Sequence, residues 1–229
     1  LRSGKWQVED LLALAKPEDL VSSPDLKPLL NQDPHNPRLL LAEARLALLD
    51  NRLGEAKKWI DKAFAEGPSL VDVHAVHGLY LLEQDPSESS LVKWQKALPD
   101  DADEHPDVWT VRGVLARKQQ DDAGAVRCFA EALLRFPDHR RATHQLSLAM
   151  ATLGNDRRAA KLSERVRYMD QLSRSVDDIY LRSDWDEPWL RGANMLEQLG
   201  RIPEAVAWYR LIVQNNFGGV AAEKKAAEL

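Results

Sequence analysis

The strongest pattern in the chain is a recurring pair of apolar helical stripes. The clearest pair lies in residues 106–140, where large and small residues fall three or four positions apart before a proline. Such spacing places the residues on one face of a helix, so two helices and a short turn are predicted. Small residues allow the two helices to cross closely, and large residues fill the space between neighbouring pairs. The marked positions are Trp109, Gly113, Ala116, Ala125, Phe129, Ala132 and Pro137.

The small residue of each predicted second helix measures the repeat length. The series Ala56, Ser90, Ala125, Ala159 and Ala205 advances in steps of 34, 35, 34 and 46 residues. The last step is one 34-residue unit plus 12 residues. Residues 51–54, 153–156 and 199–204 contain the Gly or Asn that commonly ends a helix, so each is predicted as the turn within a pair.

This order of large, small, alanine, aromatic and proline positions resembles the tetratricopeptide-repeat (TPR) signature. The resemblance implies an all-α fold, a right-handed α-solenoid of stacked antiparallel helix pairs, with one array over residues 1–229. The expected units are 37–70, 71–105, 106–139, 140–173 and 186–217, after a degenerate unit at 3–36. Residues 174–185 are expected to be an insertion and residues 218–229 a terminal capping helix.

The 12 extra residues fall between Val166 and Asp186. They are either an overlong second helix with a connecting turn, or a hinge or partner-facing insertion. Within them, Trp185 is a candidate partner-binding residue, because Trp is favoured in binding hot spots.

Composition restricts the function classes. The chain has 229 residues, 44% apolar and 29% charged, with a net charge of −5, which argues against a nucleic-acid partner. No apolar run approaches the roughly 18 residues that cross a bilayer, so we expect no membrane insertion. The one cysteine, Cys128, is interpreted as a packed small hydrophobe. Because the chain begins at Leu1, we expect a fragment of a longer protein, and its compartment stays undecided.

No motif predicts catalysis, a cofactor or a metal. The chain has no Gly-rich phosphate loop, nucleophile elbow or metalloprotease helix motif. His74 and His77 have chelating spacing, but no third His or Cys lies within twenty residues, so they are predicted to be packing residues. The acidic residues 100–104 are expected to form a solvated loop that caps the helix beginning near Pro106.

The resemblance implies that the first helices line a concave groove. At the groove positions the chain places a basic cluster with two polar neighbours, which are our candidate partner-binding residues together with Trp185. They are Arg38, Arg45, Thr110, Arg117, Lys118, Arg141 and His144. No first helix combines the Lys and Asn of the family's chaperone-tail clamp, so that ligand is rejected.

The predicted function is therefore a protein–protein interaction scaffold without catalysis, whose groove binds a protein or peptide segment with acidic and apolar residues. Two alternatives stay open. The concave surface is an ordinary solvated one with no ligand, or the chain is a non-catalytic docking or spacer region of a larger multidomain protein that acts through self-association.

Overall fold

The computed structural model describes residues 26–181 and 186–215, with residues 224, 225, 227 and 228. This part of the chain contains helices, turns and loops and no strand, so the predicted all-α fold of helix pairs is confirmed. Most of the degenerate first unit, Trp185 and most of the predicted capping helix lie outside the described residues. The helices are α1 (Lys27–Gln32), α2 (Pro37–Leu49), α3 (Leu53–Glu66), α4 (Val71–Gln84), α5 (Glu88–Lys96), α6 (Pro106–Lys118), α7 (Asp122–Arg135), α8 (Arg140–Thr152), α9 (Asp156–Leu181), α10 (Asp186–Gln198) and α11 (Ile202–Gln214).

The chain forms two compact units, of which one is Ser23–Leu162 and the other includes Ser163–Leu229. In the first unit α2 packs on α3, α4 on α5 and α6 on α7, and each of the first helices α2, α4 and α6 also packs on the next first helix. In the second unit α10 packs on α11. The boundaries of the repeat units within this framework stay a prediction.

Three close crossings place a glycine of one helix against an aromatic ring of the next. A Cβ atom built on Gly113 would lie 2.3 Å from the ring of Phe129, and one on Gly78 would lie 2.7 Å from the ring of Trp94. The second unit repeats the arrangement with Gly192, where a Cβ would lie 2.3 Å from the ring of Trp208. The partner is sixteen positions after the glycine each time. Any side chain larger than hydrogen would therefore push the paired helices apart.

Four turns between successive helices share one backbone conformation. Asn51, Gln120, Gly154 and Gly200 have positive φ angles of 55°, 63°, 73° and 79°. The residue after each of them donates its N–H to a carbonyl five positions earlier, at 2.7 to 2.9 Å, as in a Schellman helix end. The turns at Asn51, Gly154 and Gly200 were predicted from their residue types. Gln120 gave no such signal, because glutamine is uncommon in this conformation.

Helix α9 is continuous over 26 residues and contains the first part of the predicted insertion. Its last turns are packed rather than free, since Leu172 and Val176 are fully buried and Ile179 is 6% exposed in the core with Trp208 and Tyr209. Up to Leu181, the extra residues thus continue a packed helix, and the choice between the two alternatives stays a prediction.

Candidate interaction surface

Helices α6 and α8 begin with the same unusual cap. His105 accepts the backbone N–H of Asp107 at Nδ1, and His139 accepts that of Ala142 in the same way, both at 3.1 Å. Asn36 caps α2 from the corresponding position, with its side chain accepting the N–H of Arg38. A neutral imidazole has one accepting and one donating nitrogen, so both histidines carry their proton on Nε2. The acidic residues 100–104, expected to cap α6, do not fill this position.

The Nε2 atoms of these two histidines face aspartates of the preceding helix pairs. His139 Nε2 donates a hydrogen bond to Asp107 Oδ1 at 2.8 Å, and His105 Nε2 lies 3.2 Å from Asp72 Oδ1. Each aspartate is the second residue of its first helix, α4 or α6. We call His105, His139, Asp72 and Asp107 the histidine–aspartate ladder, because one relationship recurs between successive pairs.

Asp107 is the buried centre of the ladder. Its side chain is 4% exposed, and its second oxygen accepts a hydrogen bond from Arg45 Nη2 at 2.6 Å. Burial alone would raise the pKa of this carboxyl, but the charge of Arg45 and the hydrogen bond from His139 outweigh it and hold the pKa well below its usual range. Asp107 is therefore a charged residue inside the unit, with hydrogen bonds from Arg45 of α2 and from the residue that caps α8.

Two other arginines of the predicted basic cluster also bind residues of their own chain. Arg141 Nη1 donates to Glu83 Oε1 at 2.7 Å, which joins α8 to α4. Arg117 Nη1 donates to Gln145 Oε1 at 3.0 Å, which joins α6 to α8. Arg45 binds Asp107 of α6 from α2. Three of the four arginines in the predicted basic cluster therefore connect first helices to one another.

The remaining candidates have different surroundings. Thr110 is fully buried and its hydroxyl donates to the Pro106 carbonyl at 3.0 Å, so it offers no surface to a partner. Arg38 and His144 are exposed. Trp185 lies outside the described residues, and its role stays a prediction.

An open cleft of about 420 Å³ lies beside the C-terminal ends of α6 and α8 and the start of α7. Lys118 is exposed and makes no ion pair with the described residues. The Nε of Arg117 is buried and makes no hydrogen bond in this part of the chain, being 3.9 Å from Asp122. Leu148, one helical turn before Thr152, is 40% exposed. The lining is Val114, Arg117, Lys118, Gln120, Asp122 and Thr152.

Sequence reasoning did not find the ladder or Glu83. It gave no role to His105 or His139. The sequence did contain a signal for them. His105 and His139 are 34 positions apart, and each lies just before a predicted first helix, as Asn36 does. Because polar residues that repeat with a fold's period share one environment, this spacing indicates a structural contact.

Among the described residues, no group of three or more His, Cys, Asp or Glu side chains is arranged to hold a metal ion. His74 is buried, and its Nε2 lies 2.9 Å from the Pro68 carbonyl. In the same residues, no helix combines the length and apolar character that crossing a membrane requires.

No protein-family model matches the chain, and no curated protein matches it. It is similar to solved structures of low identity. PilW, a widely conserved type IV pilus biogenesis factor, is 16% identical over 87% of this chain and 86% of its own, with a TM-score of 0.46. PilF of Pseudomonas aeruginosa is 17% identical over 84% and 87%, with a TM-score of 0.43. YrrB, described as a TPR protein with an unusual peptide-binding site, is 13% identical over 90% and 99%, with a TM-score of 0.40.

These superpositions are loose, so the assignment rests on features of this chain. They are the 34-residue step, the paired helices, the sixteen-residue contact spacing and the repeated turn. Together they identify the fold as a helical repeat of the tetratricopeptide kind.

Proposed function

We propose that this chain is a protein-interaction scaffold that holds a segment of another polypeptide in the cleft beside α6 and α8. The observation that carries the proposal is the lining of this cleft. It combines Lys118, which is exposed and makes no ion pair with the described residues, and the incompletely bonded Arg117 with the apolar side chains of Val114 and, nearby, Leu148. Such a surface fits an acidic and apolar segment.

The magnitudes indicate what the segment must supply. A carboxylate on exposed Lys118 contributes about 0.2–1 kcal/mol, and one on the partly buried Arg117 about 1.5–3 kcal/mol. Micromolar affinity requires about 8 kcal/mol after the costs of association. Most of it must therefore come from burial of apolar side chains, with the charges selecting and orienting the segment.

The proposed role does not include catalysis. His139 and Asp107 are a histidine–carboxylate pair of the kind used in acid–base chemistry, but His139 is only 2% exposed. Both of its ring nitrogens already bind protein atoms, so the ring has no free position for a substrate proton. The pair is better explained as a structural contact between α6 and α8.

Selection from a displayed library of random peptides tests the proposal, with Lys118→Glu as the variant. The wild-type chain should enrich acidic and apolar peptides, and Lys118→Glu should weaken their binding at least about fivefold in fluorescence anisotropy, equivalent to about 1 kcal/mol. Lys96→Glu is the matched control, since Lys96 is also an exposed lysine in the last turn of a helix but does not line the cleft.

Equal binding by the wild type and Lys118→Glu would exclude this cleft. Failure to enrich any peptide, or enrichment without a preference for acidic residues, would refute the proposed partner chemistry.

A further inference from the structure

The histidine–aspartate ladder carries an inference beyond the binding of a partner. We propose that its buried member is a pH switch: uptake of a proton by His139 breaks the cap of α8 and loosens the contact between α8 and α6. The switch requires only the geometry of the ring, the amide it caps and the charges around it.

The ring can take up a proton only at Nδ1. Nε2 already carries a hydrogen and donates it to Asp107 Oδ1 at 2.8 Å. The lone pair of Nδ1 accepts the N–H of Ala142 at 3.1 Å. An imidazolium has two donors and no acceptor, so the protonated ring cannot keep this bond. Protonation therefore leaves the first turn of α8 with an unpaired amide and moves either the ring or the turn.

The carboxylate that His139 contacts is already paired with another cation. Asp107 faces the ring from α6, but Arg45 of α2 already neutralises this carboxylate at 2.6 Å. Further along α8, Arg141 is itself paired with Glu83 of α4. A second cation would thus be buried against a carboxylate that already binds one, which is unfavourable.

His105 has the same cap but a different electrostatic setting. Its Nε2 lies 3.2 Å from Asp72, whose side chain is 49% exposed and forms no ion pair with a cationic residue in the described part of the chain other than this histidine. Asp107 Oδ2 lies 4.0 Å from His105 Nδ1, but Arg45 already neutralises that carboxylate. Protonated His105 gains an ion pair as it loses its cap, so the joint between α6 and α4 should respond less. The switch is specific to the joint at His139.

The test uses the full chain and two measurements from about pH 7.5 to about pH 5, the range in which imidazole titrates. Nitrogen-15 NMR of the histidine rings reports the tautomer, and amide hydrogen exchange reports the cap at Ala142. At neutral pH we expect His139 as the Nε2–H tautomer. On acidification the Ala142 amide should lose about tenfold protection in step with the ring titration, whereas the amide of Ala149, buried in the middle of α8, should not.

Two variants isolate the effect. His139→Asn supplies the residue that caps α2 naturally and does not titrate in this range, so Ala142 should keep its protection in acid. His144→Asn removes an exposed histidine from the same helix and should leave the acid response unchanged. His77, whose pKa burial and the charge of His74 lower, is retained in both variants, so it cannot cause a difference between them.

An Nδ1–H tautomer of His139 at neutral pH would overturn the proposal without any variant. So would an acid-induced loss of Ala142 protection that is as large in His139→Asn as in the wild type.

Discussion

Arg45 and Asp107 are 62 positions apart in the chain, and Arg45 Nη2 donates a hydrogen bond to Asp107 Oδ2 at 2.6 Å. They belong to α2 and α6, the first helices of two pairs that are separated by the pair α4 and α5. Arg141 and Glu83, 58 positions apart, make the same kind of connection from α8 to α4. Contacts between alternate pairs thus supplement those between neighbouring pairs.

Removal of Arg45 should destabilise the chain more than loss of a surface ion pair. Arg45→Met keeps the length of the side chain but leaves the buried Asp107 carboxylate without its cation, which we expect to cost about 3 kcal/mol. Urea denaturation followed by circular dichroism measures the change. The comparison is Lys57→Met, which removes the exposed pair of Lys57 with Asp61 and should cost less than about 1 kcal/mol.

A double-mutant cycle should show that these two residues act together. Asp107→Asn removes the charge that Arg45 balances, so Arg45→Met should cost at least about 1 kcal/mol less in the Asp107→Asn background than in the wild type. Additive costs would mean that the two side chains contribute independently, contrary to the short hydrogen bond.

Acid should weaken the fold through Asp107. Its pKa is lower in the folded chain than the value of about 3.9 in an unfolded one, so the unfolded chain binds the proton more readily. The stability that the carboxylate contributes is fully present above about pH 4 and is lost as the pH falls further. Urea midpoints of the wild type should decline between about pH 4.5 and about pH 2.5, and those of Asp107→Asn should decline less.

Asp85→Asn gives the matching control for the acid experiment. Hydrogen bonds from Ser90 and Ser87 lower the pKa of Asp85, but this carboxyl is fully exposed. Solvent screens its interactions, so its replacement should change the acid response less than replacement of Asp107. The reverse order would contradict the buried role of Asp107.

Gly113→Ala should destabilise the chain by about 1–3 kcal/mol, because the new methyl group would overlap the fully buried ring of Phe129. Gly54→Ala makes the same chemical change in the first turn of α3, where no atom of a packed neighbour lies within 4 Å of the new methyl group. It should stabilise slightly, by up to about 0.5 kcal/mol, through helix propensity. Thermal unfolding of the two variants should therefore move in opposite directions, and equal shifts would rule out the close crossing.

The repeated turn predicts a reciprocal pair of substitutions. Gln120 has a φ of 63°, so Gln120→Gly should stabilise by about 0.5–1 kcal/mol by relieving backbone strain. Gly154→Gln places the strained residue in the next equivalent turn, where nothing crowds the side chain, and should cost about 1 kcal/mol. Denaturation midpoints check both signs, and a loss of stability in Gln120→Gly would contradict the turn assignment.

The sequence predicted most of the fold because the fold is local and periodic. A glycine and an aromatic ring sixteen positions apart report a contact within one helix pair, as at Gly113 and Phe129. The second unit repeats this spacing, with Gly192 against the ring of Trp208.

The candidate surface was less predictable, because its contacts join residues far apart in sequence. Position within a helix placed Arg45, Arg141 and Thr110 on the groove, but could not show that two of them bind distant carboxylates and that the third is covered. Burial depends on how neighbouring pairs stack, which the period of a single unit does not specify. Lys118 was predicted as a surface cation and is one.

The glycine–aromatic crossings also have a consequence for how the sequence can vary. Gly78 faces Trp94 and Gly113 faces Phe129, whereas in the first pair Ala44 and Ile60, again sixteen positions apart, are buried in one cluster. Where the residue on the first helix is the smaller glycine, the residue on the second helix is a larger aromatic one. The combined volume of the two side chains is therefore similar at each crossing. Phe129→Leu should therefore partly rescue Gly113→Ala, and the two positions should be exchanged together whenever one repeat is grafted onto another.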